Sequence, residues 1–227
     1  TGADGAERMF LSTRSALDGG KAIRGGVPVI FPQFAERGAG MRHGFARVST
    51  WCLAQHGIDD GAAWAEFALT DADLPAATAA AWPHPFALAL RVSVQANGLD
   101  MAFSVRNTGA APFPFAAALH TYHLVPHLAD VRIEGLEAGT LSIADKLDVV
   151  YENVGDGITL GTWARVLKLE QEGFSDAVVW NPGAADTAAL ADMEDDEYQR
   201  FVCIEPAQLT PVELAPGAVW EGRYRAS

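Results

Sequence analysis

The stretch that most restricts the fold is a pair of alternating segments joined by Asn97-Gly98. In residues 86–96, apolar side chains alternate with polar or small ones, a period of two that is typical of a half-buried β-strand. Asn-Gly is a strong signal for a tight hairpin, and residues 100–107 form the predicted return strand, with Met101, Phe103 and Val105 on one face. Two such strands in tandem favour an antiparallel sandwich with one buried face.

Strand-like segments recur through the rest of the chain, whereas helical signals are short. An alanine-rich stretch at 74–81 predicts a helical turn, Asp186 is a possible cap for a short helix ending near residue 191, and the acidic run 192–197 is typical of a solvated loop. About a dozen strand-like segments, without repeats or linkers, predict one all-β domain over residues 1–227. The predicted strands besides the hairpin are residues 8–12, 47–55, 63–70, 131–134, 165–169, 176–180, 201–205 and 219–225.

Composition excludes several classes of protein. Of the 227 residues, 49% are hydrophobic, which is enough for a core, but no run of about 18 apolar residues predicts a membrane span. No basic and then apolar leader opens the sequence, so we expect a cytoplasmic protein. The two cysteines, Cys52 and Cys203, lie in apolar strand-like runs, and we expect both to be buried free thiols.

The net charge of −13 disfavours nucleic acid and anionic membranes as partners. The charge is unevenly spread, because residues 1–47 hold seven Lys/Arg against four Asp/Glu, and the remainder holds nine against twenty-five. An acidic protein that binds an anionic ligand needs a local cluster of positive charge. Arg24, Arg42 and Arg47 are the candidates for such a cluster, although arginines of this kind are often solvated or ion-paired.

Two apolar β-type runs each deliver one ionisable residue. The run 113–119 leads directly into His120, whose imidazole can exchange a proton near neutral pH. The run 201–204 leads into Glu205. Taken alone, each residue could be structural, the histidine hydrogen-bonded and the glutamate in an ion pair.

His120, His123 and His127 also raise the question of a metal site. On a strand, residues 120 and 123 point to opposite faces, and Pro126 disfavours a helix that would bring the three histidines together. We therefore expect no metal site here.

Six short motifs follow one another along most of the chain. They are Gly20-Lys21-Ala22-Ile23-Arg24-Gly25-Gly26-Val27-Pro28, His43-Gly44-Phe45-Ala46-Arg47, Trp82-Pro83-His84-Pro85-Phe86, Ala118-Leu119-His120-Thr121-Tyr122, Ser175-Asp176-Ala177-Val178-Val179-Trp180-Asn181-Pro182 and Cys203-Ile204-Glu205-Pro206-Ala207. Together they resemble the motifs of the hexose-6-phosphate 1-epimerases, within the aldose 1-epimerase superfamily. The resemblance implies a large twisted antiparallel β-sandwich of the galactose mutarotase type.

The resemblance also implies an activity, the exchange of the α and β anomers of a hexose 6-phosphate by a monomer that needs no cofactor. In this assignment Glu205 is the base and His120 is the acid, and Asp176 binds sugar hydroxyls. Arg24 and Arg47, together with Arg42, would bind the 6-phosphate. His43 is either a ligand contact or a loop histidine.

Some features depart from the family pattern. Gln33 and Gly183 stand where the family often has aromatic residues, which bears on the shape of the sugar pocket. The family usually has further strands ahead of the Gly20 motif, so either the start of this sequence is trimmed or this is a short variant. Two alternatives remain open at this point: an aldose 1-epimerase for unphosphorylated hexose, which would keep the acid and base but not the arginines, and a carbohydrate-binding sandwich without an ionisable pair.

Overall fold

A computed structural model describes residues 5–96, 98–155 and 157–227. Fifteen strands, two short α-helices and four 3₁₀ helices are assigned within these residues. The strands are β1 (Val29–Ile30), β2 (Cys52–Asp59), β3 (Ala62–Thr70), β4 (Phe86–Gln95), β5 (Gly98–Asn107), β6 (Phe113–Leu119), β7 (Tyr122–Leu124), β8 (Arg132–Glu134), β9 (Leu141–Ser142), β10 (Leu147–Tyr151), β11 (Gly157–Gly161), β12 (Val166–Glu172), β13 (Asp176–Asn181), β14 (Phe201–Leu214) and β15 (Val219–Ala226). The α-helices are α1 (Ala76–Ala81) and α2 (Gly183–Ala188), and the 3₁₀ helices are Ala46–Val48, Asp71–Asp73, Leu128–Asp130 and Glu197–Arg200.

The strands form two antiparallel sheets that pack as a sandwich. The six-stranded sheet has the order β1-β6-β14-β13-β10, with β7 also paired to β14, and the nine-stranded sheet has the order β2-β3-β4-β5-β15-β12-β11-β8-β9. The predicted all-β antiparallel fold is therefore confirmed. The predicted hairpin is β4 and β5, in which Phe86 pairs with Asn107, and the turn residue Asn97 lies outside the described residues.

The main core lies between the sheets. Met101, Phe103 and Val105 of β5 are buried in it, as their alternation predicts. On β4, Leu88 is buried but Val94 is 44% exposed, so burial fades toward the hairpin turn. The prediction of which hairpin face is buried is thus correct, and the turn end of the hairpin extends beyond the core.

The six-stranded sheet has a second, outer face, because its residues alternate in direction along each strand. Val202 and Ile204 of β14 join the main core. Cys203 between them packs instead with Phe10 from the N-terminal segment. Glu205 has the same parity as Cys203, so its side chain belongs to this outer face, which is covered by loops and not by the other sheet.

Several sequence predictions are wrong in detail. Residues 8–12 form two isolated bridges, at Met9 and Leu11, instead of a strand. The predicted strand 47–55 begins only at Cys52, after the 3₁₀ helix Ala46–Val48. Asp186 is not a helix cap, because α2 starts directly after Pro182 and contains Asp186 in its first turn.

The prediction of two buried thiols is half wrong. Cys203 is buried, but Cys52 is exposed. Cys52 lies on β2, which is one of the two edge strands of the nine-stranded sheet and is exposed along most of its length. In the described part of the chain, no helix has the length and apolar character that crossing a membrane requires.

Candidate active site

The candidate site forms where the six-stranded sheet is interrupted. β6 ends at Leu119, β7 begins at Tyr122, and both strands pair with β14. In the gap between them, the backbone N–H of His120 donates to the carbonyl of Pro28 at 3.0 Å. The His120 side chain is thereby placed on the outer face of the sheet, above β14.

Glu205 faces this gap from the middle of β14, and not from the end of a strand as its sequence context predicts. The strand continues to Leu214 in spite of Pro206. The N–H of Ile204 donates to the carbonyl of Thr121, along the edge of β14 that faces the gap. Pro206, two residues further on, lacks an N–H on this same edge, at the point where β14 changes partner from β7 to β6. Proline is tolerated where no ladder hydrogen bond is required.

His120 and Glu205, which we call the acid/base pair, are in direct contact. Nε2 of His120 lies 3.3 Å from Oε1 of Glu205, and the side chains are 9% and 1% exposed. The remaining polar atoms, Nδ1 of His120 and Oε2 of Glu205, are buried without a hydrogen-bond partner among the described residues. Unpaired buried polar atoms are costly and uncommon, and here they leave acceptor and donor capacity free for a ligand.

Burial opposes charge on both members of the acid/base pair. It raises the pKa of Glu205 well above its ordinary value, an effect that Asp148 strengthens and Arg47 reduces. It lowers the pKa of His120 well below its ordinary value, and His43, Arg47 and Arg24 act in the same direction. The pair therefore resists both gaining a second proton and losing its single proton, so it holds one proton over a wide range of pH.

Aromatic rings fix the orientation of the imidazole. The Tyr122 ring stacks on His120 with centroids 4.9 Å apart and an interplanar angle of 15°. Trp180 and His43 meet the same ring edge-on, at 5.7 and 5.8 Å. Tyr122 and Trp180 both lie within the quoted motifs, which was the available signal, although neither was predicted to take part in the site.

His43 is brought to the site on a strained loop. It has a φ of 62°, and the following Gly44 has a φ of 68°. A Cβ at Gly44 would collide with the carbonyl of Phe31, so this position requires glycine. His43 Nδ1 accepts from the N–H of Ala35 at 3.3 Å, and burial together with the nearby arginines lowers the pKa of His43 to about 3. It is therefore a neutral imidazole.

The three candidate arginines differ in how far they are already paired. Arg24 donates from Nε and from one terminal nitrogen to the carboxylate of Asp192, both at 3.2 Å. Its other terminal nitrogen lies 3.4 Å from the Tyr122 hydroxyl. Arg42 is exposed and pairs with Glu36 at 2.8 Å.

Arg47 is the arginine with the most free capacity. It donates to the backbone carbonyl of Arg42 at 3.0 Å, its Nε is buried without a partner, and it has no carboxylate partner among the described residues. Burial lowers the pKa of Arg47, and Arg24 and Arg42 add to this effect. Because Arg47 also lowers the pKa of Glu205, its charge acts at the acid/base pair.

Asp176 lies on the same face of the sheet, at the start of β13. Its neighbour across the sheet is Ala207, two residues beyond Glu205. Both carboxylate oxygens accept from backbone N–H groups, Oδ1 from Asn153 at 3.3 Å and Oδ2 from Leu209 at 3.1 Å. Asp176 therefore has a structural task in addition to the predicted contact with sugar hydroxyls, which stays a prediction.

The acidic run at 192–197 is not simply solvated, contrary to its sequence interpretation. Asp192 holds Arg24, Glu194 pairs with Arg14 at 2.9 Å, and the buried Glu197 accepts from Ser12 at 2.6 Å. The run fastens the N-terminal segment that carries Arg24 over the outer face.

The two departures from the family pattern have local explanations. Gln33 is buried, and its side chain bonds to the backbone of Ala35 and Gly40, which fixes the loop leading to His43. Gly183 has a φ of 68°, and a Cβ there would lie 2.5 Å from a carboxylate oxygen of Asp145. An aromatic residue at 183 would not fit this backbone.

Two of the three histidines considered for a metal site, His123 and His127, have other partners. Nε2 of His123 is 2.9 Å from the Tyr224 hydroxyl, across the core, and Nδ1 of His127 accepts from the N–H of Ala129. Among the described residues these side chains do not share a site with His120.

The architecture corresponds to that of mutarotase-like proteins. The crystal structure of a "putative mutarotase" from Salmonella typhimurium superposes with a TM-score of 0.84 and 28% identity, covering 96% of this chain and 79% of that one. A galactose mutarotase-like protein from Clostridium acetobutylicum shares the fold, with a TM-score of 0.68 and 16% identity over 89% of this chain and 78% of that one.

Sequence comparison assigns the family. The profile described as aldose 1-epimerase matches residues 2–148 and 140–227. A protein of Cenchrus ciliaris named "Putative glucose-6-phosphate 1-epimerase" is 34% identical over 99% of this chain and 76% of its own length, and one of the same name from Escherichia coli is 33% identical over 88% and 72%. The chain belongs to the aldose 1-epimerase family, whose members are isomerases.

Proposed function

We propose that the chain interconverts the α and β anomers of a hexose 6-phosphate, glucose 6-phosphate being the first candidate. The observation that carries the proposal is the buried contact between His120 and Glu205, with the partly unpaired Arg47 acting on it. The names of the relatives from Cenchrus ciliaris and Escherichia coli support the substrate.

The reaction requires two proton transfers in each direction. Glu205 accepts the proton of the anomeric hydroxyl, and His120 donates a proton to the ring oxygen. The bond between the anomeric carbon and the ring oxygen breaks, and an open-chain aldehyde forms. After rotation beside the carbonyl, the new hydroxyl attacks the other face, and both protons return to their original places.

The acid/base pair is suited to this cycle because it holds one proton. The ionised form, with a charged imidazole and a carboxylate, starts ring opening. Ring opening leaves the neutral form, with the proton on Glu205. Burial favours the neutral form, while Arg47 favours the carboxylate. The two forms contain the same number of protons, so no exchange with solvent is required during turnover.

The arginines would hold the phosphate. Guanidinium groups bind phosphate through paired, charge-assisted hydrogen bonds, and Arg47 has free donors for this purpose. Against a net charge of −13, affinity for a dianion must come from a local cluster. We propose Asp176 and His43 as contacts to the sugar hydroxyls, through the carboxylate's remaining lone pairs and the neutral imidazole.

One observation favours a second candidate, an aldose 1-epimerase acting on unphosphorylated hexose. Arg24 and Arg42 each have a carboxylate partner, Asp192 and Glu36, which reduces the positive charge available to a phosphate. This enzyme would use the same acid/base pair, so only the substrate distinguishes the two candidates.

We also propose that the protein acts as a cytoplasmic monomer without metal or cofactor. Each proton transfer is supplied by a side chain, and the reaction transfers no electrons. Size-exclusion chromatography coupled to light scattering would test the monomer, and a dimer mass would contradict it.

The acid/base assignment is tested with two variants that keep shape. Glu205→Gln and His120→Asn should each reduce catalysed anomer exchange by about 10²–10⁴-fold, the usual contribution of a positioned proton-transfer group. Exchange is followed by NMR and corrected for the spontaneous rate. Binding of glucose 6-phosphate should change by no more than a few-fold. Near-normal exchange in either variant would show that the assignment is wrong.

A further inference from the structure

A third potential metal ligand lies beside the acid/base pair. Cys203 precedes Glu205 by two residues on β14 and points to the same outer face. It is fully buried, has no disulfide partner, and plays no part in the proposed reaction. One ligand atom each of His120, Cys203 and Glu205 lies within 4.8 Å of the others.

The three side chains provide the donor set that Zn²⁺ prefers. Zinc in proteins binds imidazole nitrogen, thiolate sulfur and carboxylate oxygen, usually in a tetrahedron with ligand bonds of about 2.0–2.3 Å. Donor atoms at the corners of such a tetrahedron are about 3.3–3.8 Å apart by simple geometry. The 3.3 Å contact between His120 and Glu205 already has this spacing, and a small closure would bring Cys203 into range. The fourth position would be open.

The charges at the site are compatible with a divalent cation. Loss of one proton from Cys203 and of the single proton of the acid/base pair gives two anionic ligands and a neutral imidazole, which neutralise a 2+ charge. A metal ion can displace these protons although burial opposes ionisation without it. Arg47 and Arg24 are positive and oppose the cation, but Asp192 offsets the charge of Arg24. The thiolate selects zinc-like ions over Mg²⁺ and Ca²⁺, which prefer oxygen ligands.

We propose that His120, Cys203 and Glu205 form an inhibitory site for a thiophilic divalent cation of the Zn²⁺ class. The bound ion occupies the atoms that would carry protons to and from the sugar, so it inhibits the enzyme and is not a cofactor. Its binding releases two protons to solvent, one from the thiol and one from the acid/base pair. The metal site itself stands on geometry alone, and only its inhibitory effect rests on the proposed function.

Cobalt titration tests the site without any assay of activity. Co²⁺ bound to a thiolate gives a charge-transfer band in the near ultraviolet, and Zn²⁺ should abolish this band by displacement. The wild-type protein and Cys52→Ala, which removes the exposed thiol, should each bind one Co²⁺ and show the band. Cys203→Ala should lose the band, and its affinity for Zn²⁺ should fall by more than about a hundredfold, the upper end of what loss of an outer-shell partner costs.

Two further variants protect the test against a folding defect. If Cys203→Ala has an altered circular dichroism spectrum, Cys203→Ser and His120→Asn are compared, and both should weaken Zn²⁺ binding while preserving the fold. A cobalt band that persists in Cys203→Ala, or its absence in wild type at millimolar Co²⁺, would overturn the site.

Inhibition is measured separately by anomer exchange. Zn²⁺ should inhibit wild type competitively with the sugar, EDTA should restore the rate, and the inhibition constant should rise in Cys203→Ala by the same factor as the loss of Zn²⁺ affinity, more than about a hundredfold. Cobalt binding with unaffected exchange would overturn the inhibitory role and leave the site intact. If wild type has no exchange activity at all, the proposed function fails, while the cobalt band still decides the existence of the site.

Discussion

Arg47→Ala should damage exchange of a hexose 6-phosphate far more than exchange of the free hexose. Arg47 has a buried Nε without a partner and no carboxylate partner among the described residues, so its charge is available to a phosphate. A hydrogen bond to a charged group contributes about 1.5–3 kcal/mol, which corresponds to roughly ten- to a hundredfold in binding. We expect the Michaelis constant for glucose 6-phosphate to rise by that factor, and the constant for glucose to change by less than about threefold.

Arg42→Ala is the matched control, because Arg42 lies in the same segment but is exposed and already paired with Glu36. It should change the constant for glucose 6-phosphate by less than about threefold, as expected for a screened surface charge. Arg47→Lys should fall between wild type and Arg47→Ala, since it keeps the charge but loses the planar fork.

The assay is NMR exchange spectroscopy at a series of substrate concentrations, with thermal unfolding recorded for each variant. Equal loss of exchange for both substrates in Arg47→Ala, with the fold retained, would refute a role in binding phosphate. A larger effect in Arg42→Ala than in Arg47→Ala would refute the reasoning from side-chain pairing.

Three further predictions follow from contacts of the described residues. Asp192→Asn should raise the Michaelis constant for glucose 6-phosphate several-fold with little change in the maximal rate, because Asp192 positions Arg24. Glu194→Gln, the control, should leave the Michaelis constant unchanged. If the two variants instead lowered the maximal rate equally, the positioning role would be contradicted. Wild-type exchange should fall on the acid side as the acid/base pair gains a second proton, and on the alkaline side as it loses its last proton. Because burial lowers the pKa of His120 well below 6.5 and raises the pKa of Glu205 well above 4.5, neither fall should be centred on these ordinary values; a steep change in rate centred on pH 6.5 would be incompatible with the buried pair. Burial lowers the pKa of His123 from 6.5 to about 3, so the stability that the neutral histidine contributes is present above pH 6.5 and is lost as the pH falls toward 3, at about 1.4 kcal/mol per pH unit. Between pH 6.5 and 5, the free energy of unfolding in urea should fall by about 2 kcal/mol more for wild type than for His123→Gln. Equal losses in the two proteins would contradict the buried neutral state.

The fold could be predicted from the sequence where a local pattern and burial coincide. The β4–β5 hairpin is an example, because alternation on β5 matches the face that packs in the core. The expectation that Cys52 is buried is wrong, because its apolar neighbours resemble those of a buried strand. Only the order of strands in the sheet, which the sequence does not contain, shows that β2 is an edge.

The site was predictable only in part, and through motifs. Nothing in the spacing of His120 and Glu205 indicates contact, since Glu205 lies on β14 and His120 lies in the interruption between β6 and β7, two strands that both pair with β14. Asp192 was missed because an acidic run gives no sign of its partner, which lies 168 residues away. The ion pair between Arg24 and Asp192 could not be predicted for the same reason.

The central claim is that the buried acid/base pair catalyses anomer exchange of a hexose 6-phosphate. Two-dimensional exchange NMR on glucose 6-phosphate and on free glucose, at equal concentrations and with the Glu205→Gln variant as the blank, tests it most directly. We expect exchange cross-peaks between the two anomers of glucose 6-phosphate that exceed both the blank and those of free glucose. Exchange no faster than the blank would contradict the claim of catalysis, and a preference for free glucose would contradict the assigned substrate.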